Sequence, residues 1–479
     1  MDRVWDAAGL LDILGDWSAR PGPLYRRLAA AIGAAVDTGE LAGRDRLPSE
    51  RDLARSLAVS RATVVAAYDE LSDSRTLLRR QGSGTTVRPG TARARTGRVR
   101  GGTATPIVQR LVDGPSEIIS LARAAEPGLP AVAAAMRDVV AADLPHLLDD
   151  AGYHPRGLPA LRQLLADRYT KAGVTTSADQ IVVTTGATQA ISLVGQLLLS
   201  RGTSVVVEAP GWPGSMDSFL AAGARVLPVP LDDEGIRLDI LAETLATQRP
   251  QLLYVMPTYH NPTGILMAAP RRRQVADIAG RHGVPILEDS TDLRTDPAPI
   301  AAHGTDVFTV GTLSKAVWGG LRVGWIRTSL GNAARIARLK ALADLGSPVL
   351  DQAVAARLLP QLDRLVARQA ALADERRQRL SAALTARLPE WRWRAPTGGT
   401  GLWVELPGVD ARAFAQVALR HGVEVVPGSS ADITGAHDRF VRVPYTFTTD
   451  VLDALVDRLV AAWAEVHGMP GGAGRESTS

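Results

Sequence analysis

Lys315 stands in GTLSKAVWGGLRVGW (311–325) and is one of three lysines in a 479-residue chain that otherwise uses arginine for positive charge. Lysine, unlike arginine, can lose its proton when desolvated and attack a carbonyl carbon to form an imine. If only charge were needed at 315, this chain's habit would have supplied arginine, so nucleophilicity is the constraint. Lys171 in DRYTKAGV and Lys340 in RIARLKALADL fall in polar-face helical patterns and read as surface residues.

Other chemistry-bearing residues recur at the ends of apolar runs. Asp289 closes PILED, where a buried carboxylate needs a cation or a hydrogen-bond donor. TTGATQA (184–190) turns at Gly186 into a helix whose first amides, with the Thr185 and Thr188 hydroxyls, suit a phosphate. EAPGWPG holds Trp212 on a rigid loop where it can stack on a flat ring. In HNPTG the following proline restricts Asn261 and aims its amide. Arg322 can add charge-assisted bonds to a phosphate, and Arg442 in RFVRVPYTF is a candidate bidentate clamp for a ligand carboxylate. A lysine, a carboxylate for a pyridine nitrogen, an amide, an aromatic and an anion cradle together are what pyridoxal 5′-phosphate requires.

These residues need a scaffold. Apolar runs place strands at 181–184, 205–208, 252–256, 285–288, 307–310 and 323–326, alternating with longer helical patterns, which predicts a mostly parallel α/β sheet. Ligands of such sheets gather beyond the carboxyl ends of the strands, where the residues above fall.

Residues 24–87 carry a different pattern. Ser49 can cap a short helix, with Asp52 three residues on. After a tight turn at Ala58 and Val59, Ser60 caps a second helix with Val64, Ala67, Tyr68 and Leu71 on its inner face and Ser60, Arg61 and Thr63 outside. Two such helices make a helix-turn-helix able to present those side chains to a major groove. LLRRQGSGTTV behind it reads as a hairpin wing tipped around Gly82, with Arg51, Arg79 and Arg80 serving phosphates.

Composition bounds the rest. With 46% hydrophobic and 22% charged residues the chain should bury a large core, and its net charge of +4 makes any DNA contact local. The absence of cysteine excludes disulfides, Cys-ligated zinc and a thiol nucleophile, and no metal site is expected. Neither a signal peptide nor an apolar run long enough for a membrane span is seen, so the expected location is the cytoplasm. The expected divisions are an N-terminal extension (1–20), the winged helix-turn-helix (21–88), a flexible basic linker (89–117), the α/β domain (118–468) and a disordered tail (469–479).

The motif LPSERDLARSLAVSRATVVAAYDEL resembles the GntR-type winged helix-turn-helix, which implies DNA contacts by Arg51, Ser60, Arg61, Thr63 and the wing around Gly82. Residues 119–467, through GYHPRG, TTGATQ, EAPGW, HNPTG, ED, SK, GLRVGW and VRVPYTF, resemble the fold-type I aspartate aminotransferases, with a smaller C-terminal subdomain. That likeness implies covalent attachment of the cofactor to Lys315, pairing of Asp289 with the pyridine nitrogen, and cofactor contacts from Gly186, Ala187, Thr188, Trp212, Asn261, Thr312 and Arg322. It also implies that Tyr153 reaches a phosphate across a dimer interface and that Arg442 holds a substrate carboxylate. Two features depart from the relatives: Thr291 occupies the place of a tyrosine that bonds the ring hydroxyl, and Arg75 and Ala58 stand where glycine is usual. The pair of domains resembles the MocR/GabR transcriptional regulators, implying a homodimer that binds operator DNA and an amino-compound effector. An active aminotransferase with a secondary DNA-binding module stays open as the alternative.

Overall fold

The computed structural model describes residues 3–15, 17–19, 22–80, 84–89, 118–122, 127–294 and 296–468. Gly82, the linker from residue 90 onward and the tail 469–479 lie outside the described residues, as does the side chain of Arg80.

In the N-terminal unit, Ser49 accepts from the Asp52 amide at 3.2 Å to start the helix Glu50–Ser56, and Ser60 accepts from the Thr63 amide at 3.1 Å to start Arg61–Asp73. Val64, Ala67, Tyr68 and Leu71 are buried as their spacing requires. The strands Leu77–Arg80 and Gly84–Val87 pair antiparallel as the wing. The N-terminal extension joins the same core. Trp5, Leu10, Leu14 and Trp17 are buried among Leu28, Ile32 and Leu53, and Trp5 Nε1 donates to Asp45 at 3.0 Å. Ala58 and Arg75 adopt φ of +50° and +61°, the left-handed conformation that explains why glycine is usual there.

The large domain is built on an eight-stranded sheet. Its order is Ile181–Thr184, Gly324–Arg327, Val307–Thr312, Ile286–Asp289, Leu252–Val255, Ser204–Ala209, Arg225–Asp232 and Gly235–Ile236. Gly324–Arg327 runs antiparallel to both neighbours, and the five strands from Val307–Thr312 to Arg225–Asp232 are parallel. Strands such as Ile181–Thr184 and Ser204–Ala209 are buried along their whole length, because helices cover both faces. The sequence reading placed six of these strands within two residues of their ends and missed Arg225–Asp232, whose two prolines break the apolar run, and the two-residue Gly235–Ile236.

The C-terminal subdomain carries a four-stranded sheet, ordered Arg392–Trp393, Gly401–Glu405, Phe440–Pro444 and Val426–Pro427. Helices Ala411–Arg420 and Thr449–Gly468 close its core. Among the described residues no helix is long and apolar enough to cross a membrane.

Candidate cofactor and DNA-binding sites

Asp289 is the last residue of its strand and is buried. Its Oδ2 accepts from Tyr254 Oη at 2.8 Å, and its Oδ1 is buried without a hydrogen bond of normal geometry among the described residues. Burial pushes this carboxyl up, opposed by the nearby Lys315 charge and by the Thr291 hydroxyl and amide, which lie near enough to counter the rise of its pKa. Lys315 follows the neighbouring strand Val307–Thr312, and its Nζ donates to Thr291 Oγ1 at 3.0 Å. Burial lowers the Lys315 pKa, helped by Arg442 and opposed by Asp289 and Asp292. Thr291 thus lies within hydrogen-bond reach of the lysine. Both residues line a cavity of about 220 Å³, walled by Asp292, Arg294, Arg377, Thr400 and Tyr445.

The candidate anion cradle lies at the edge strand. Gly186, with φ +128°, leads into the helix Ala187–Leu198, whose first amides have no intrahelical acceptor. A Cβ at 186 would lie 2.9 Å from Arg322 Nη2 and a Cβ at 324 only 2.7 Å from Gly186 Cα. Gly324 is thus needed for this close backbone approach and Gly186 for its left-handed φ, and the Arg322 guanidinium lies over the start of the helix. Arg322 itself is held at φ +51°. Thr312 is buried; its Oγ1 donates to Val323 O at 3.0 Å and lies 2.9 Å from Ser314 Oγ, so it braces the loop bearing Lys315.

Arg442 lies on the strand Phe440–Pro444, buried, with Nη2 donating to Thr400 Oγ1 at 2.9 Å and no ion pair among the described residues. Burial pulls its pKa down to about 10. A desolvated guanidinium without a carboxylate is a ready site for one. Trp212 and Asn261 stand past the ends of their strands, both half-buried. Tyr153 is 69% exposed.

Two features escaped the sequence reading. Tyr254 lies inside a wholly buried strand, where a phenol requires an acceptor; that mismatch of residue type and apolar surroundings was the available signal. Glu208 and His260 form a second buried pair, 3.5 Å apart. Burial pushes Glu208 up to about 8 and His260 down to about 3. One reading is overturned: Lys340 is fully buried, whereas Lys171 is on the surface with its side chain 83% exposed.

On the N-terminal unit Arg51, Ser60 and Arg61 are exposed and Thr63 is half-buried. The Ser60 and Thr63 hydroxyls lie 2.9 Å apart within the cap. Arg61 bonds Glu50 at 3.0 Å, and Arg79 is paired with both Glu50 and Asp69, so phosphates must compete with these acids.

These two sites define a class of protein, a helix-turn-helix DNA reader joined to an aminotransferase-like domain. Residues 24–87 match the bacterial regulatory proteins of the gntR family, and residues 124–459 match aminotransferase class I and II. The chain belongs to the aminotransferase class I and II family and, with its GntR head, to the MocR-type transcriptional regulators. It is 29% identical to the uncharacterized HTH-type transcriptional regulator YisV of Bacillus subtilis, over 89% of this chain and 93% of that protein. It is 32% identical to the probable rhizopine catabolism regulatory protein MocR of Rhizobium meliloti, over 64% of this chain and 65% of that protein. Among solved structures, LysN, the alpha-aminoadipate aminotransferase of Thermus thermophilus complexed with N-(5'-phosphopyridoxyl)-L-leucine, superposes with a TM-score of 0.69 at 28% identity. That match covers 75% of this chain and 95% of LysN.

Proposed function

We propose that this regulator binds pyridoxal 5′-phosphate at Lys315 and uses it to sense a primary amine carrying a carboxylate, altering how the helix-turn-helix engages operator DNA. The observation that carries the reading is Asp289 Oδ1, a buried carboxylate oxygen without a hydrogen bond of normal geometry among the described residues and close to a desolvated lysine. A protonated pyridine nitrogen would supply the missing donor, and the Gly186–Thr188 amides with Arg322 would hold the phosphate, so the residues present fit the group. When bound, the cofactor supplies an electrophilic carbonyl carbon and an electron-withdrawing ring.

The chain's own residues supply the rest. The lowered pKa of Lys315 leaves more of its Nζ unprotonated at neutral pH, and Thr291 Oγ1 orients that amine. Tyr254 fixes the rotamer of Asp289, so that Oδ1 is left to hold a proton on a ring nitrogen. Arg442 would take the effector's carboxylate, while Trp212 and Asn261 would hold the ring. Tyr153, exposed in one chain, serves the phosphate of a second copy in a homodimer. On DNA, Arg61 reads bases and Arg51 contacts phosphate.

The test is the visible absorbance of protein mixed with pyridoxal 5′-phosphate. The covalent chromophore should form with the wild type and be lost in Lys315→Ala; an unchanged spectrum in the variant would overturn the assignment. Transamination faster than about one turnover per second would instead give the aminotransferase reading the lead.

A further inference from the structure

Lys340 lies on the helix Leu330–Asp344 at 0% exposure, where an ammonium is tolerated only if its hydrogen bonds are met. Its Nζ donates to Asp344 Oδ2 at 2.7 Å, to Asp344 Oδ1 at 2.9 Å and to Gln189 Oε1 at 3.2 Å. The Gln189 amide is fixed from every side. Its Oε1 also accepts from the Thr185 amide at 2.9 Å, and its Nε2 donates to Asp344 Oδ2 at 2.8 Å. Two donors on one oxygen and an acceptor at the nitrogen permit one orientation of that amide.

Thr185 and Gln189 flank the turn at Gly186 that opens the helix Ala187–Leu198. We propose that Lys340 is a positioning residue for the phosphate cradle: through Gln189 it pins the Thr185 amide and thereby sets the direction of the free amides at Gly186, Ala187 and Thr188. The inference rests on the cofactor reading above and assigns a role to a residue that touches no ligand. A compact ammonium with three donors meets Gln189 and both Asp344 oxygens at once, whereas a planar guanidinium has its donors in a rigid fork. This accounts for a second buried lysine in an arginine-rich chain. Asp344 Oδ1 also accepts from the Gly346 amide at 3.0 Å, and Gly346 packs so tightly on the backbone of His154 that a Cβ there would lie 2.8 Å from its carbonyl oxygen. The cluster therefore also braces the segment carrying Tyr153.

The experiment compares the affinity of pyridoxal 5′-phosphate with that of pyridoxal, which lacks the phosphate, by adduct absorbance in the full-length wild type, Lys340→Met and Gln189→Ala. Gln189→Ala keeps the Lys340–Asp344 ion pair and covers the case in which Lys340→Met does not fold. Both variants should bind the phosphorylated compound about tenfold or more weakly, a change worth about 1.4 kcal/mol, and bind pyridoxal as the wild type does. Equal weakening toward both compounds, or no weakening, would overturn the positioning role. A wild type that forms no adduct at all would overturn the cofactor reading itself, and this inference with it.

Discussion

The chemistry of the site is set by which groups are desolvated. Lys315, Asp289 and Arg442 are each buried short of full pairing, and each pKa moves toward the neutral form. Glu208 shows the same physics in a form that can be measured as stability. Burial, more than the Asp289 charge, raises its carboxyl from 4.5 to about 8, against the 2.7 Å bond from the Met256 amide. Between those two values the folded chain holds a proton that the unfolded chain has lost, so stability falls as pH rises from about 5 to about 8. Glu208→Gln cannot titrate and still accepts from Met256. Its melting temperature relative to wild type should climb across that range, and parallel curves would show that Glu208 is ionised in the fold. At this scale Lys315, Asp289 and Arg442 were legible because charged residues interrupt apolar runs. Lys340 was misread although Ala333, Ile336, Ala337 and Lys340 form one i, i+3, i+4, i+7 stripe, all buried. Treating lysine as a surface letter overrode the period.

At the scale of elements, the strands of the large domain were readable because burial on both faces demands uninterrupted apolar residues. The C-terminal sheet was not, since Arg392–Trp393 and Val426–Pro427 are only two residues long and take their identity from their neighbours. The helix-turn-helix was legible through its caps, Ser49 and Ser60, each of which satisfies an amide at the start of its helix. Ser60→Ala should cost about 1 kcal/mol. Arg75→Gly should gain about 0.5–1 kcal/mol, since φ +61° strains an exposed arginine but not a glycine. Amide hydrogen exchange in Arg61–Asp73, measured in the intact protein, checks both: faster for the first variant and slower for the second. A slower exchange in Ser60→Ala would refute the capping role.

Across the whole molecule, the DNA reader touches the helix Ala411–Arg420 of the C-terminal subdomain. Trp17 Nε1 donates to Gln416 at 2.9 Å, and Arg420 donates at 3.3 Å to the carbonyl of Ala58, the left-handed residue in the turn between the two DNA-binding helices. Arg420 is also tied to Glu465 on the last helix at 2.7 Å. The subdomain bearing Arg442 thus contacts the reader behind its recognition helix, leaving Arg61 exposed. None of this was legible in the sequence, because a contact between residues 58 and 420 leaves no local pattern. A ligand shifts such an assembly only if it binds two states with different affinity. In the proposed function, an effector amine competing with Lys315 for the cofactor's carbonyl carbon would provide that difference.

The measurement closest to this claim is fluorescence anisotropy of cofactor-loaded protein on an operator fragment selected from its own genome. It is read at one fixed salt concentration, because phosphate contacts alone respond steeply to salt. Titrations run with and without a panel of carboxylate-bearing primary amines, for wild type and Lys315→Ala. The account predicts that at least one amine changes the wild-type operator affinity about fivefold or more, about 1 kcal/mol of coupling, while Lys315→Ala binds the operator and ignores every amine. An equal response in Lys315→Ala would contradict it.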